Sequence, residues 1–380
     1  MNFPCAALLL LAVPALASAQ TYRIVDLGDV GGQSAAFTID PSGRAAGNVT
    51  DLSAHFLPAV FDQTPMVLPH LSGFAEHVVF AFGPAGDPIG TAYTLGSLTP
   101  ASFVSAGGIA ASLGQFQARA VNASGVVAGT TIVDNAGLKL PTACTAQGGV
   151  ISTLPSLGGI TSQALGIDDL GRVVGSSTTS GEASIRPTLW IGGIARDLGT
   201  LGGANGQAYA IAGTRVIGWS QNTAGVKRPT RWTLDAAGNV ITRTDLGGAS
   251  TTAPGCARAF GPGADVLGVS SFRAMLFRAD AAIDLNTRVL SLGGWTLEQA
   301  WSANASGQIA GSGSLLGFPR AFRLDPCLAD VNSDLVIDLD DFFWFLNCFD
   351  QSQSCADIDG EPGVDLGDFF TFFNGFDAGC

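Results

Sequence analysis

Between residues 22 and 324 the apolar positions fall in short runs of four to six, broken by Gly, Asn, Asp and Ser, and the runs recur. One landmark is Leu or Val before a glycine pair: "DLGDVGG" at 26–32, "TLPSLGG" at 153–159, "DLGTLGG" at 197–203, "TDLGGAS" at 244–250 and "LSLGGWT" at 291–297. A second is a polar turn, an apolar pair and a glycine, as in "DPSGRAAG", "NASGVVAG", "DDLGRVVG", "PGADVLG" and "NASGQIAG". Its last residue gives Gly47, Gly90, Gly129, Gly175, Gly218, Gly268 and Gly311, at steps of 43, 39, 46, 43, 50 and 43. Short apolar runs with tight turns at this period predict strands, about four to a unit, and little helix. Seven such units are sized as the blades of a β-propeller, whose radial closure protects the sheet edges. A β-solenoid or open β-array is the competing architecture. The fold class expected is mainly β, a seven-bladed propeller-like domain with a small helical module after it.

A third landmark recurs in four units: "RPTLW" at 186–190, "RPTRW" at 228–232, "RAMLF" at 273–277 and "RAFRL" at 320–324. "LPTAC" at 140–144 reads as the same element, with Cys144 in the tryptophan place. Trp190, Trp232 and Phe277 are expected to wedge between blades, because packing repeats forces one large side chain into each interface. The glycine pairs suit turns of positive φ or close backbone approach. Residues 22–324 resemble the extracellular HAF-repeat family, whose pattern runs DLG-x-LGG, an Ala/Ile-Asn element, VVG and HAFLW. "DLGTLGG" and "DDLGRVVG" carry the likeness best, while Arg186, Arg228, Arg273 and Arg320 stand where the family has His. The resemblance implies an exported repeat protein and no particular chemistry.

Candidate chemistry within the repeat is sparse. His55, His70 and His77 have no zinc spacing and read as isolated surface or turn residues. Asp168, Asp169 and Glu298 are candidates for a glycosidase pair, but neighbours on a strand point to opposite faces, which separates Asp168 from Asp169. Asp168 matches Asp40, Asn122 and Asn304 in other units, where a short side chain bonds its own backbone in a turn. "SLGQFQ" at 112–117 and "GASTTAPG" at 248–255 read as loops that could face a ligand. No phosphate loop and no Ser-His-Asp set emerges. The long region therefore reads as a non-catalytic scaffold. The alternatives are an extracellular carbohydrate-active enzyme or a glycan-binding propeller. Two convergent carboxylates, or Arg with Tyr, on a concave face would favour the enzyme.

Charge changes the picture only at the C-terminal end. Residues 325–380 hold twelve Asp and one Glu without Lys or Arg, so they carry the whole formal charge of −13. That places a boundary near Asp325-Pro326, argues against nucleic acid, and points to cations as partners. From Asp330, oxygen-bearing side chains fall at loop positions 1 (Asp330), 3 (Asn332), 5 (Asp334), 9 (Asp338) and 12 (Asp341), with the Val336 carbonyl at 7. Twenty-seven residues on, Asp357, Asp359, Glu361, Asp365 and Asp368 repeat the pattern, with Gly363 at position 7. Such spacing wraps six or more oxygens about a Ca²⁺ ion, so two calcium sites are expected. Leu335 and Pro362 replace the usual position-6 Gly and weaken that expectation. Each loop runs into a phased aromatic stretch, "DDFFWFLNCF" and "GDFFTFFNGF", which predicts two short amphipathic helices.

Residues 326–380 resemble a dockerin, an EF-hand-like pair of loop–helix units, in the variant ending Gly379-Cys380. The likeness implies calcium-dependent attachment to a protein partner or cell-envelope component. Positions 10 and 11 hold Leu339-Asp340 and Leu366-Gly367 rather than the hydroxyl residues that read a cohesin. The first nineteen residues read as a secretory signal peptide with cleavage after Ala19, which leaves residues 20–324 as the repeat domain and 325–380 as the module. No other stretch is apolar and long enough to span a bilayer, so the expected location is extracellular or cell-surface. Export permits disulfides among Cys327, Cys348, Cys355 and Cys380, with three pairings open, while Cys144 and Cys256 are either paired or buried.

Overall fold

The computed structural model describes residues 20–62, 64–94, 99–279, 281–359, 361 and 363–380; the expected signal peptide and Pro362 lie outside them. The chain forms two compact units, Ile24–Asp325 and Pro326–Cys380, the latter grouped with Gln20–Arg23. The larger unit holds seven four-stranded antiparallel sheets, a seven-bladed β-propeller. Six blades are consecutive meanders, within 34–67, 76–114, 117–153, 158–197, 202–245 and 255–284. The seventh takes Trp295–Ala303, Ile309–Leu315 and Phe318–Cys327 and adds Thr21–Asp26 at its outer edge, so both ends of the domain close the ring. No helix among the described residues is long and apolar enough to cross a membrane.

Each landmark in the sequence has a physical cause. The landmark glycine lies on the second strand of its blade, opposite the first strand. A Cβ there would collide with a first-strand carbonyl: Ala35, Val78, Gln117, Gln163, Gln207, Cys256 and Gln299 in blade order. The approach is close because every first strand bulges just beyond that glycine, at Phe37, Phe80, Arg119, Leu165, Tyr209, Arg258 and Trp301. Bulges kink a strand and re-aim one side chain.

The Leu-Gly turn and the arginine landmark belong together. Arg186 Nε lies 2.9 Å from Asp197, Arg228 Nε 2.9 Å from Asp245, and Arg273 Nη1 2.5 Å from Asp284. Arg320 pairs with Asp29. The same aspartates accept the turn amides of Gly199 at 2.7 Å and Gly247 at 2.9 Å. The landmark arginine thus ties the third strand to the turn that leaves the blade. Asp168 accepts the amides of Leu170 and Arg172 at 3.1 and 2.9 Å, and Asp40, Asn122 and Asn304 close equivalent turns.

Trp190, Trp232 and Phe277 are at most 2% exposed and each packs across a blade interface. Trp190 meets Ala128 and Ala143 of the preceding blade, and its indole N–H donates to the Pro155 carbonyl at 2.7 Å. The reading of Cys144 is corrected by register. Val173 faces Trp190, whereas Val127 faces Ala146, so Ala146 holds the tryptophan place. Cys144 faces Gly129, as Thr188 faces Gly175. The strand Leu138–Gln147 runs three residues past the apparent motif, and the buried Phe116 packs in the same cluster as Cys144 and Ala146. "SLGQFQ" therefore joins two strands and anchors in the core through Phe116, while Ser112 and Gln115 stay exposed.

Two further expectations change. His77 is fully buried on Glu76–Phe82, its ring centroid 5.2 Å from His70 and 5.6 Å from Phe103; burial, then the neighbouring imidazole, lowers its pKa to about 4. His55, on a turn 3.2 Å from Asp51, and the exposed His70 fit the surface reading. Cys144 and Cys256 are buried and unpaired, and burial pushes the Cys144 thiol up to about 12.

Candidate functional site

The C-terminal unit is built on α1, Leu339–Asp350, and α2, Leu366–Ala378. Phe345 and Phe372 stack face to face with centroids 4.1 Å apart and are fully buried, the centre of an aromatic core that excludes water from the loop roots. Disulfides Cys327–Cys380 and Cys348–Cys355 staple it, which engages the terminal cysteine's sulfur within the chain. Such stapling suits a unit too small for a large core.

Both helices start the same way. Asp338 and Asp365 are N-caps, and Asp341 and Asp368 at N3 bond back to them, a reciprocal capping box. The sequence periodicity of loop and helix is therefore also a start signal for each helix. Asp341 takes the amides of Asn332 at 3.2 Å and Asp338 at 3.1 Å on separate oxygens. Asp330 takes those of Asp334 and Leu335, both at 3.1 Å, and Asn332 reaches Asp334 at 3.2 Å. Leu335 accepts the position-6 turn at φ 72°, a left-handed conformation that glycine adopts without cost. Val336 turns its amide to Asp334 at 2.9 Å. Asp330 and Asp341 are buried together, and burial, with the charges of Asp330 and Asp334, raises the Asp341 pKa.

In the second loop the carboxylate oxygens of Asp357, Asp359 and Asp368 lie within 4.8 Å of one another. Asp368 is fully buried and takes the amides of Ile358 at 2.7 Å, Asp359 at 3.1 Å and Asp365 at 2.9 Å. Burial raises its pKa, but those donors outweigh it and the net direction is down. Glu361 is exposed outside this triad, with its amide on Asp359, and Gly363 follows at φ 103°. Hard oxygens converging on one point, one of them buried and anionic, fit a calcium-sized cation.

Sequence reading missed a second arrangement. The seven bulged residues line one cavity of about 420 Å³ on the propeller axis, joined there by Thr38, Gln163, Gln207 and Ser302. Arg119 lies over Phe80 at 4.3 Å, and Arg258 lies between Tyr209 at 4.4 Å and Trp301 at 4.6 Å. A signal was present: each bulged residue sits between small ones, as in "ARA" at 118–120, "AYA" at 208–210 and "ARA" at 257–259. Its chemistry differs from blade to blade, so a search for repeated residues passes over it.

No family model matches this chain, and no curated protein matches it. Among solved structures it is similar to TolB from Acinetobacter baumannii, at 13% identity and TM-score 0.43, covering 76% of this chain and 64% of that one. It is similar to the β-propeller domain of the Trilobed protease from Pyrococcus furiosus, at 9% identity and TM-score 0.47, over 65% of this chain and 82% of that domain. A puromycin hydrolase matches at 14% identity and TM-score 0.48, over 76% of this chain and 53% of its own. The chain thus spans less than two thirds of TolB and about half of the hydrolase, and each likeness is confined to architecture.

Proposed function

We propose that residues 326–380 are a calcium-dependent, dockerin-like docking module that tethers an exported HAF-repeat propeller to a protein partner or cell-envelope component. The observation that carries this reading is the convergence of Asp357, Asp359 and Asp368 within 4.8 Å, beside a first loop that buries Asp330 with Asp341. Like charges buried together without a cation oppose one another, and a divalent ion relieves that repulsion while ordering the loops. In the first loop Asp330, Asn332, Asp334, Asp338, Asp341 and the Val336 carbonyl would hold it. In the second, Asp357, Asp359, Asp368, Glu361, Asp365 and the Gly363 carbonyl would do so. Asp338 and Asp365 fix the helix starts, so loop order passes directly into helix order.

A surface for the partner follows from the same duplication. Leu339 and Phe343 on α1, and their counterparts Leu366 and Phe370 on α2, are exposed by 58% or more. One helical turn separates the members of each pair, giving two equivalent apolar ridges. Isothermal titration of the chain from residue 20 with Ca²⁺ tests the module. The reading expects two sites, with Asp341→Asn and Asp368→Asn each abolishing one. No binding heat in the parent chain would overturn it.

A further inference from the structure

We infer that the axial cavity of the propeller binds a carboxylated saccharide, its carboxylate held by Arg119 and Arg258 and its ring lodged against the aromatic wall. The inference stands apart from the docking module, since all its residues lie in the propeller.

The seven first strands form the inner ring of the domain, and each spends its bulge on one inward side chain. Five of the seven are apolar or aromatic: Phe37, Phe80, Leu165, Tyr209 and Trp301. The other two are arginines, on blades 3 and 6. Every repeat arginine noted above has an aspartate, but among the described residues Arg119 and Arg258 have neither an ion pair nor a hydrogen bond. The Nε atoms of both are buried without a partner. No carboxylate lines the cavity. Beyond the aromatic faces of Phe80, Tyr209 and Trp301, no anionic group in the cavity balances the two guanidiniums; burial, and then the charge of Arg258, act against the Arg119 cation. A fold that needed only packing here would be served better by Leu165's kind of residue, so the pair points outward to an anion.

The remaining lining narrows which anion. The guanidinium fork matches a carboxylate in two parallel hydrogen bonds. Phe37 stands edge-on to Trp301 at 5.2 Å and tilted to Phe80 at 5.9 Å, a continuous aromatic wall for the C–H face of a sugar ring. The Gln163 and Gln207 amides and the Thr38 and Ser302 hydroxyls offer both donors and acceptors, which is what ring hydroxyls need. The cavity volume lies within the range of small-ligand sites. A neighbouring cavity shares Thr38, Phe80 and Arg119 and reaches Asp40 and Pro41, giving a path to the face that carries the Asp40-type turns.

The test is calorimetric titration of the chain from residue 20 with digalacturonate, against a neutral digalactoside, citrate and inorganic phosphate. The expected result is binding of the uronate alone or at least tenfold tighter than the others, weakened at least tenfold by Arg119→Gln and by Arg258→Gln. Removing one charge-assisted contact is of that size. Both variants should melt at or near the parent temperature, because each removes a half-buried cation that has no ion pair or hydrogen bond; an arginine that latches the fold would lower it on replacement. Equal binding of the neutral sugar, preference for phosphate or citrate, no binding, or unchanged affinity in both variants would each overturn the inference.

Discussion

The propeller and the C-terminal unit solve the same problem, holding repeated elements together, with opposite means. The propeller has eighteen acids and eighteen bases over residues 1–324 and uses apolar wedges such as Trp190 and Trp232, backed by arginine–aspartate latches. The C-terminal unit, residues 326–380, has twelve acids and no base. It relies on one aromatic stack, two disulfides and two capping boxes, and it buries Asp330, Asp341 and Asp368. A domain that closes on itself can neutralise its charges internally. In the reading proposed above, a 55-residue unit with one sign of charge takes part of its stability from a bound cation.

Breaking a wedge should have the largest effect. Trp232→Ala removes a fully buried indole and its 2.9 Å bond to the Gly199 carbonyl, at a cost of about 3–5 kcal/mol. Thermal unfolding should show the propeller transition falling while the C-terminal one holds. The reverse separation is expected for Cys380→Ser. Opening a cross-link between residues 53 apart should cost the C-terminal unit about 2–4 kcal/mol and leave the propeller's melting unchanged.

Acid sharpens the contrast, because every histidine lies in the propeller. His77 is neutral in the fold, with its pKa lowered to about 4, whereas the unfolded chain takes up a proton near its ordinary value of 6.5. Its contribution is complete above about pH 6.5, declines as the pH falls from there towards 4, and is gone below. The loss is on the order of 3 kcal/mol at 1.36 kcal/mol per pH unit. Denaturant midpoints of the propeller between pH 7 and 4 should follow this decline, and His77→Phe should flatten it. The smallest effect expected separates the latches. Arg273→Gln breaks an exposed pair and should cost at most about 1 kcal/mol. Arg228→Gln also strands the buried carbonyl of Ala253, bound at 2.8 Å, and should cost about 2–3 kcal/mol in the same urea titration.

The seven-fold count was legible because the landmark glycines answer to a steric rule repeated in every blade. Trp190, Trp232 and Phe277 were legible as wedges for the same reason. Cys144 was misplaced because "LPTAC" imitates "RPTLW", and only strand register separates letters from positions. His77 was misread because one sequence does not say which of two strand faces is buried. The arginine–aspartate latch needed two landmarks to be seen as partners across a blade. The axial ring stayed hidden because a bulge interrupts the two-residue period, and the residue it exposes is the one that repetition leaves free to vary.

The account's central claim is that the two units draw on different sources of stability. Hydrogen–deuterium exchange of the whole chain from residue 20, in Ca²⁺ and in chelator, tests it most directly. The account predicts that Ca²⁺ slows exchange in Leu339–Asp350 and Leu366–Ala378 while the seven sheets exchange alike in both conditions. Helices that exchange equally with and without the ion would contradict it.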